Sequence, residues 1–141
     1  MSLASPVLIG IYENEILIKT LSSDEKSSEF IIEAIEEILQ KYQISEIIYA
    51  NGPGSFMGIK VAYVILKTLS IVKSCPMYAV SGFELNGNQP IRANKNLSFV
   101  LEKDFSISLK KVEPVNFELP KDLSNLNKFD DILPNYIIDA V

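Results

Sequence analysis

Apolar residues recur along the first part of this chain with the periods of strands and then of a helix. Two apolar runs flank the polar Glu13-Asn14-Glu15, which predicts two short strands joined by a turn within residues 7–19. From Asp24 to Tyr42 the apolar positions cover an arc of roughly 200° at helical spacing, which predicts a first helix. Ser22 and Glu25 form a possible capping box in front of it.

The next two apolar runs predict a buried strand and an unusually apolar helix. Ile44–Ala50 reads as the strand, and Ile59–Lys73 reads as the helix. The apolar arc of this second helix covers roughly 240°, whereas a helix on one sheet face needs about 100°. A fully wrapped central helix would explain the excess, but a chain of 141 residues offers few elements to wrap it. We therefore favour an interface with another molecule. The candidate interface residues on the two helices are Ile31, Ile35, Ile38, Ile59, Ala62, Val64, Ile65 and Leu69.

Apolar and polar residues alternate less regularly in the rest of the chain. Pro76–Ser81 predicts another strand, and Leu97–Leu101 with Phe105–Leu109 predicts a hairpin. From Pro114 onward prolines, amides and charges interrupt the pattern, so we expect an extended arm with short turns at most. We base no argument on Met-Ser-Leu at the start.

Composition narrows the function classes. The net charge of −5 argues against a chain that grips nucleic acid by itself. The chain has no histidine, which removes the usual metal ligand and the usual general base. A single cysteine, Cys75, allows no internal disulfide and reads as an inert core residue in a reducing compartment. No segment reads as a signal peptide or a membrane span, so we expect a cytoplasmic protein.

A glycine-rich turn between the buried strand and the second helix is the candidate for ligand chemistry. Such turns can hold anions, because helix N-terminal N–H groups and the helix dipole converge there. The spacing of Asn51–Lys60 fits neither a Walker A loop nor a dinucleotide-binding fingerprint. The turn's residues are Gly52, Pro53, Gly54, Ser55, Phe56 and Gly58.

These residues resemble a known family. The segment GPGSFMGIK at residues 52–60 is similar to the GPGSFTGLR signature of the bacterial TsaB (YeaZ) proteins, with Met57, Ile59 and Lys60 as the differences. The resemblance continues through the second helix into residues 76–81, which match a P-(L/I)-x-x-V-S strand. It is weaker at residues 91–95 and at 133–137.

The resemblance implies an α/β fold with the architecture of an actin-like/Hsp70-like ATPase (ribonuclease H-like). We expect a lobe with a mixed sheet and two long helices over residues 1–94, and a strongly reduced second lobe, a hairpin plus tail, over residues 95–141. It also implies a non-catalytic subunit that binds and stabilises the catalytic subunit TsaD, alongside the ATPase TsaE. That complex forms threonylcarbamoyladenosine at position 37 of transfer RNAs reading A-starting codons. We expect a homodimer in isolation, transfer RNA contact only through the complex, and no catalytic, cofactor or metal site.

Departures from the family pattern bear on the alternative function, a minimal nucleotide-binding phosphotransferase or ATPase. The first strand of the family usually ends in D-T-S, but here the equivalent stretch, residues 3–7, has no acid. Arg92 and Asn94 replace the acid and the arginine of an I-D-A-R segment. Phosphoryl transfer with a metal ion needs carboxylates aimed at the phosphates. We therefore expect no ATPase chemistry, and no peptidase chemistry of the kind in older descriptions of the family.

Overall fold

The computed structural model describes residues 1–24, 27–115 and 117–136, and it shows an α/β protein. The predicted fold class is confirmed. The strands are β1 (Val7–Glu13), β2 (Ile16–Ser23), β3 (Ile47–Ala50), β4 (Met77–Val80), β5 (Ile91–Arg92), β6 (Ser98–Leu101) and β7 (Ile107–Lys110). The helices are α1 (Ser27–Lys41), α2 (Phe56–Lys73) and the short α3 (Gly82–Leu85).

The strands pair in three groups. The strands β1 and β2 form an antiparallel hairpin, and their turn places Asn14 and Glu15 at positive φ, as a two-residue hairpin turn requires. The strands β3 and β4 pair in parallel, with α2 as the crossover between them. The strands β5, β6 and β7 form an antiparallel sheet in that order. Both the first hairpin and the β6–β7 hairpin were predicted, and both are confirmed.

Two buried clusters hold these groups together. One joins β1, β3 and β4 to the helices α1 and α2, and α1 packs directly against α2. The other joins Leu3, the end of β3 and the start of α2 to α3, β5 and β6. The predicted division at residues 94 and 95 falls between β5 and β6, which pair in one sheet. The division into two lobes stays a prediction.

Several predicted boundaries were wrong by a few residues. The second helix begins at Phe56 rather than Ile59, whereas the first, predicted from about Asp24, is described from Ser27. Helix α2 starts earlier because the Ser55 side chain caps it, accepting a hydrogen bond from the N–H of Gly58 at 3.2 Å. Glu25 of the possible capping box lies outside the described residues. The short helix α3 was not predicted.

The tail is an extended arm, as predicted, and it crosses the molecule. Its segment at Asp122 bridges Ile16 of β2, and its segment at Phe129 bridges Ala79 of β4. The phenol of Tyr12 donates a hydrogen bond to the carbonyl oxygen of Pro120 at 2.6 Å. We call residues 117–136 the C-terminal arm.

Within the part of the chain that the structure describes, neither long helix has the length and hydropathy of a bilayer span.

Candidate functional site

The glycine-rich turn connects the end of β3 to the start of α2, as the sequence predicted. Asn51, directly before the turn, donates a backbone hydrogen bond to Val80 of β4 at 3.0 Å. Within the turn, Ser55 is the N-cap of α2. The N–H of Gly82 donates to the carbonyl oxygen of Gly52 at 2.8 Å, which ties the turn to the start of α3. The turn is therefore fixed at both ends and at its first glycine.

The chain's own first residues occupy the concave side of this turn. The N–H of Ser55 donates to the carbonyl oxygen of Leu3 at 2.7 Å, and the Leu3 side chain is only 1 % exposed. A Cβ atom at Gly54 would lie 2.6 Å from the Leu3 backbone, and one at Gly58 would lie 2.2 Å from the carbonyl oxygen of Ser2. The two glycines thus let a backbone segment approach the helix start. Leu3, on which the sequence analysis based no argument, belongs to the core.

The C-terminal arm closes the other side of the turn. The N–H of Asn135 donates to the carbonyl oxygen of Asn51 at 2.8 Å. Gly52 has a φ of +138°, and a Cβ there would lie 2.3 Å from the carbonyl oxygen of Asn135. The ring of Tyr136 lies 4.5 Å from the ring of Phe56, centre to centre. Position 52 therefore needs glycine both for its backbone angle and for the passage of the arm.

The turn's N–H groups are partly occupied by the chain's own atoms. The amide of Ser55 points at Leu3, and the amide of Gly58 is held by the Ser55 side chain, so two donors that would face a phosphate are already used. Beside the turn an open depression of about 300 Å³ is lined by Asn51 and by residues of the arm. Its carboxylate, Asp131, accepts the N–H of Leu133 at 3.1 Å. The described residues contain no group of three acidic, cysteine or histidine side chains placed to hold a metal ion.

The predicted interface residues fall into three classes. Ile31, Ile59 and Ala62 are buried in the chain's own core. Ile35, Ile65 and Leu69 pack against that core with part of their surface exposed, and Ile38 is also half-buried. Val64 is 52 % exposed. Their contact with another molecule stays a prediction. The exposed surface of α2 is available for such a contact.

Exposed apolar residues form one line along α2. Met57, Val64 and Ile71 are spaced seven residues apart, which places them on one side of the helix, and all three are exposed. Lys60 and Lys67 lie beside them with the same spacing. We call Met57, Lys60, Val64, Lys67 and Ile71 the α2 stripe. Met57 and Ile71 were missed as interface candidates, although their seven-residue repeat is visible in the sequence.

The solvent-exposed surface of helix α1 is acidic, unlike that of α2. Exposed glutamates occupy its outer side at positions 29, 33, 36 and 37, with the exposed Ile32 among them. Glu37 forms ion pairs with Lys19 at 3.6 Å and with Lys41 at 3.7 Å. The two packed helices therefore expose an acidic surface on α1 and a basic, partly apolar surface on α2.

Comparisons with known proteins give a family and two solved structures. The family model described as TsaD, tRNA N6-adenosine threonylcarbamoyltransferase, matches residues 19–99. YeaZ from Pseudomonas aeruginosa has 15% sequence identity and a TM-score of 0.49, over 84% of this chain and 61% of that one. A protein described as uncharacterized, with similarity to the peptidase YeaZ from Pseudomonas aeruginosa, has 14% identity and a TM-score of 0.49, over 89% of this chain and 62% of that one. No curated protein sequence matches.

The chain thus spans about three-fifths of the length of these solved structures. The family match includes β3, the turn, α2 and β4, the elements that carry the sequence resemblance. The family match confirms the sequence resemblance at the level of the family. It also confirms the α/β, actin-like fold that the resemblance implied. Because the matched residues make up more than half of the chain, this protein belongs to the TsaD (tRNA N6-adenosine threonylcarbamoyltransferase) family.

Proposed function

We propose that this protein is a cytoplasmic, non-catalytic subunit that binds and stabilises a TsaD-type catalytic subunit in the formation of threonylcarbamoyladenosine on transfer RNA. The observation that carries the proposal is the α2 stripe, in which three large apolar side chains are exposed along one side of a helix whose opposite side is buried in the core. Exposed apolar surface of this kind is typical of protein interfaces. A TsaE-type ATPase belongs to the same complex in this proposal.

The charges of the two helices suggest how the surface selects its partner. The α2 stripe contains Lys60 and Lys67, and the neighbouring α1 surface carries glutamates. A partner must present acidic groups opposite α2 and basic groups opposite α1, because like charges across an interface are unfavourable. A second copy related by a two-fold axis would meet this condition. We therefore include a homodimer through the same helices when the TsaD-type subunit is absent.

The arrangement of the turn supports a binding role over a nucleotide-dependent one. Leu3 occupies the concave side of the turn and uses the Ser55 amide, so a phosphate would have to displace part of the core. In this proposal the turn shapes the start of α2 and so fixes the direction of the stripe. Calorimetric titration of the chain with ATP and magnesium tests this part. Micromolar binding would favour the alternative, a minimal phosphotransferase or ATPase.

Substitution within the α2 stripe tests the proposal directly. We expect Val64→Glu and Ile71→Glu to abolish co-purification with a co-expressed TsaD-type subunit, because a carboxylate buried at the contact costs about 3 kcal/mol or more. The chain itself should keep its stability, since both side chains are exposed. Leu69→Glu is less informative, because Leu69 packs against the core.

A matched control lies on another surface. Val115 is exposed to a similar extent as Val64 but belongs to the segment after β7. Val115→Glu therefore adds the same charge to the same residue type and should leave co-purification unchanged. The proposal fails if the unmodified chain is not retained by the TsaD-type subunit. It also fails if Val64→Glu and Ile71→Glu are both retained as well as the unmodified chain.

A further inference from the structure

The outer edge of strand β7 is open. This strand lies at the end of the β5–β6–β7 sheet, where β6 is its neighbour on one side. Among residues 1–24, 27–115 and 117–136, no backbone group from outside the β6–β7 hairpin hydrogen-bonds to Ile107–Lys110. The edges of β2 and β4, by contrast, are bridged by the C-terminal arm. An open edge can accept a further strand, because its N–H and C=O groups are free to pair.

The register of the hairpin tells which residues of β7 turn their backbone groups to the open edge. The N–H of Glu102 donates to the carbonyl oxygen of Ser106 at 2.8 Å, so these two residues form a hydrogen-bonded pair. Hydrogen-bonded and non-hydrogen-bonded pairs alternate along an antiparallel ladder, so Ser108 is the next β7 residue bonded to β6. The residues on either side of it, Ile107 and Leu109, direct their N–H and C=O groups to the open edge.

The side chains along this edge include exposed apolar ones. Leu109 pairs with the buried Phe99 and lies on the same side of the sheet, yet it is 42 % exposed. Phe105 at the hairpin tip is 83 % exposed, and Val112 beyond β7 is 41 % exposed. A strand added beside β7 would cover Leu109 and bring its own side chains against it. We call residues 105–112 the β7 edge.

The charges at the two ends of the β7 edge differ in sign. Glu102, Lys103 and Asp104 lie at the hairpin tip, with a formal net charge of −1. Lys110 and Lys111 lie at the other end, with a formal charge of +2. Two copies of such an edge attract each other when they run antiparallel, because the tip of each then lies beside the basic end of the other.

A two-fold axis at Ser108 gives the best match of backbone groups and charges. In this register Ile107 of each copy pairs with Leu109 of the other through their free backbone groups. The same register sets Lys103 of one copy opposite Glu113 of the other, just beyond the paired segment. An axis one residue nearer the tip would oppose Lys103 to a lysine, which is unfavourable, and an axis one residue farther would oppose it to a valine.

We propose that the β7 edge is a self-association surface, on which a second copy of this chain adds its own β7 antiparallel to the first. The two β5–β6–β7 sheets then continue into each other, and each copy covers exposed apolar side chains of the other. The surface uses none of the residues of the α2 stripe, so this inference goes beyond the proposed function. Two chains can associate in this way while their helices stay available for another partner. The paired segment is short, so we expect a weak, concentration-dependent dimer.

Sedimentation analysis of the full chain carrying Val64→Glu and Ile71→Glu tests the surface. This background removes contact through the α2 stripe, so an increase of mass with concentration reports another surface. We expect a further Leu109→Pro substitution to weaken the dimer about tenfold or more, because the symmetric pair loses the N–H of residue 109 from both copies. The hairpin should stay folded, as measured by circular dichroism, since that N–H does not bond to β6 and proline is tolerated on edge strands.

A matched control keeps the backbone donor. Leu109→Val retains both the N–H and an apolar side chain at the same position, so in the same background it should dimerise like the parent chain. A difference between Leu109→Val and Leu109→Pro therefore reports the backbone pairing of the edge.

Exchange of two exposed charges tests the register. Lys103→Glu and Glu113→Lys each set like charges against one another at two symmetric positions, so each should weaken the dimer about fivefold. The double variant restores opposite charges, and it should dimerise as tightly as the background chain. Both side chains are exposed, so these substitutions leave the fold intact.

Three results would overturn the proposal: a background chain that stays monomeric at every concentration, a dimer that persists in a folded Leu109→Pro variant, or a double charge variant that associates no more tightly than the single ones. If Leu109→Pro unfolds, the charge variants decide. Capture by a TsaD-type subunit is measured with Leu109→Pro alone and should be unchanged. Loss of capture by that folded chain would make the β7 edge a contact for the subunit and also overturn the proposal. A monomeric chain that is still captured would leave the proposed function standing.

Discussion

Single glycine positions decide how closely the backbone segments around the turn can approach. Gly54 and Gly58 face Leu3 and Ser2, and Gly52 faces Asn135. Glycine-rich turns before a helix are associated with phosphate binding, because they bring N–H groups close to an anion. The same absence of side chains serves here to admit the chain's own backbone. The glycines of the signature thus act in packing.

Substitution of Gly58 tests this role. Alanine is normally favoured over glycine in a helix by about 1 kcal/mol. Here its Cβ would lie 2.2 Å from the Ser2 carbonyl oxygen, so we expect Gly58→Ala to reduce the free energy of unfolding by about 1–3 kcal/mol. Urea denaturation followed by circular dichroism measures it.

Gly87 provides the comparison for that substitution. It has a φ of +68°, but a Cβ there would meet nothing within 4 Å. Gly87→Ala therefore reports the backbone cost alone, of about 1–2 kcal/mol. If Gly58→Ala is as stable as the unmodified chain, the segment at Ser2 does not pack against the start of α2.

Among the elements, the C-terminal arm connects parts that are distant in sequence. Two tyrosine phenols hold it: Tyr12 donates to the carbonyl oxygen of Pro120, and Tyr49 donates to that of Ile132. Burial raises the pKa of Tyr12 to about 12 from its ordinary 10.0. Burial is also the main cause of the raised pKa of Tyr49, with smaller effects from Tyr63, Tyr136 and Asp131. Both phenols therefore keep their protons to high pH in the folded chain.

This predicts a loss of stability in alkali. Between pH 10 and 12 the unfolded chain releases the Tyr12 proton while the folded chain retains it, so ionisation favours unfolding. We expect the free energy of unfolding to fall over this range, as measured by urea denaturation at several pH values. Tyr12→Phe should be less stable at neutral pH by about 1 kcal/mol but should fall less steeply. An unchanged slope in Tyr12→Phe would count against the role of this phenol.

At the scale of the whole molecule, the arm joins units that otherwise pair separately. The β1–β2 hairpin and the β3–β4 pair are distinct in their hydrogen bonding, and the arm bridges one strand of each. Lys128 of the arm also forms an ion pair with Glu46 at 2.6 Å and lies over the ring of Tyr78. The arm thus contributes backbone pairing to sheet edges that would otherwise be open.

Removal of the arm tests its contribution. A chain that ends after Pro114 loses both bridges and the contact of Asn135 with the turn. We expect the melting temperature to fall by several degrees or more, because each lost backbone hydrogen bond contributes about 1 kcal/mol. Differential scanning calorimetry measures the change.

A single substitution tests one contact of the arm and leaves the rest of the arm in place. Lys128→Ala removes only the ion pair and the ring contact, so it should lower the melting temperature by no more than a few degrees. An unchanged melting temperature in the shortened chain would show that the arm does not stabilise the fold.

Local sequence patterns were sufficient to predict the main helices and hairpins of this fold. Two apolar runs around a polar turn predicted the first hairpin, and alternation of apolar and polar residues predicted the second. Helical spacing predicted α1 and α2, and the broken pattern after Pro114 predicted an extended arm. The GPGSF segment also led to the family, since it is specific and contiguous. These properties depend on neighbours in the chain, so the sequence by itself determines them.

The tertiary structure decided which surfaces and contacts those elements make. An apolar arc of roughly 240° does not tell which side of α2 faces the core, and only packing assigned Ala62 to the interior and Val64 to the outside. Leu3 entered the turn, and Asn135 reached Gly52, through contacts between residues far apart in the sequence. Such contacts depend on how the chain folds back on itself, which the local periodicity does not contain.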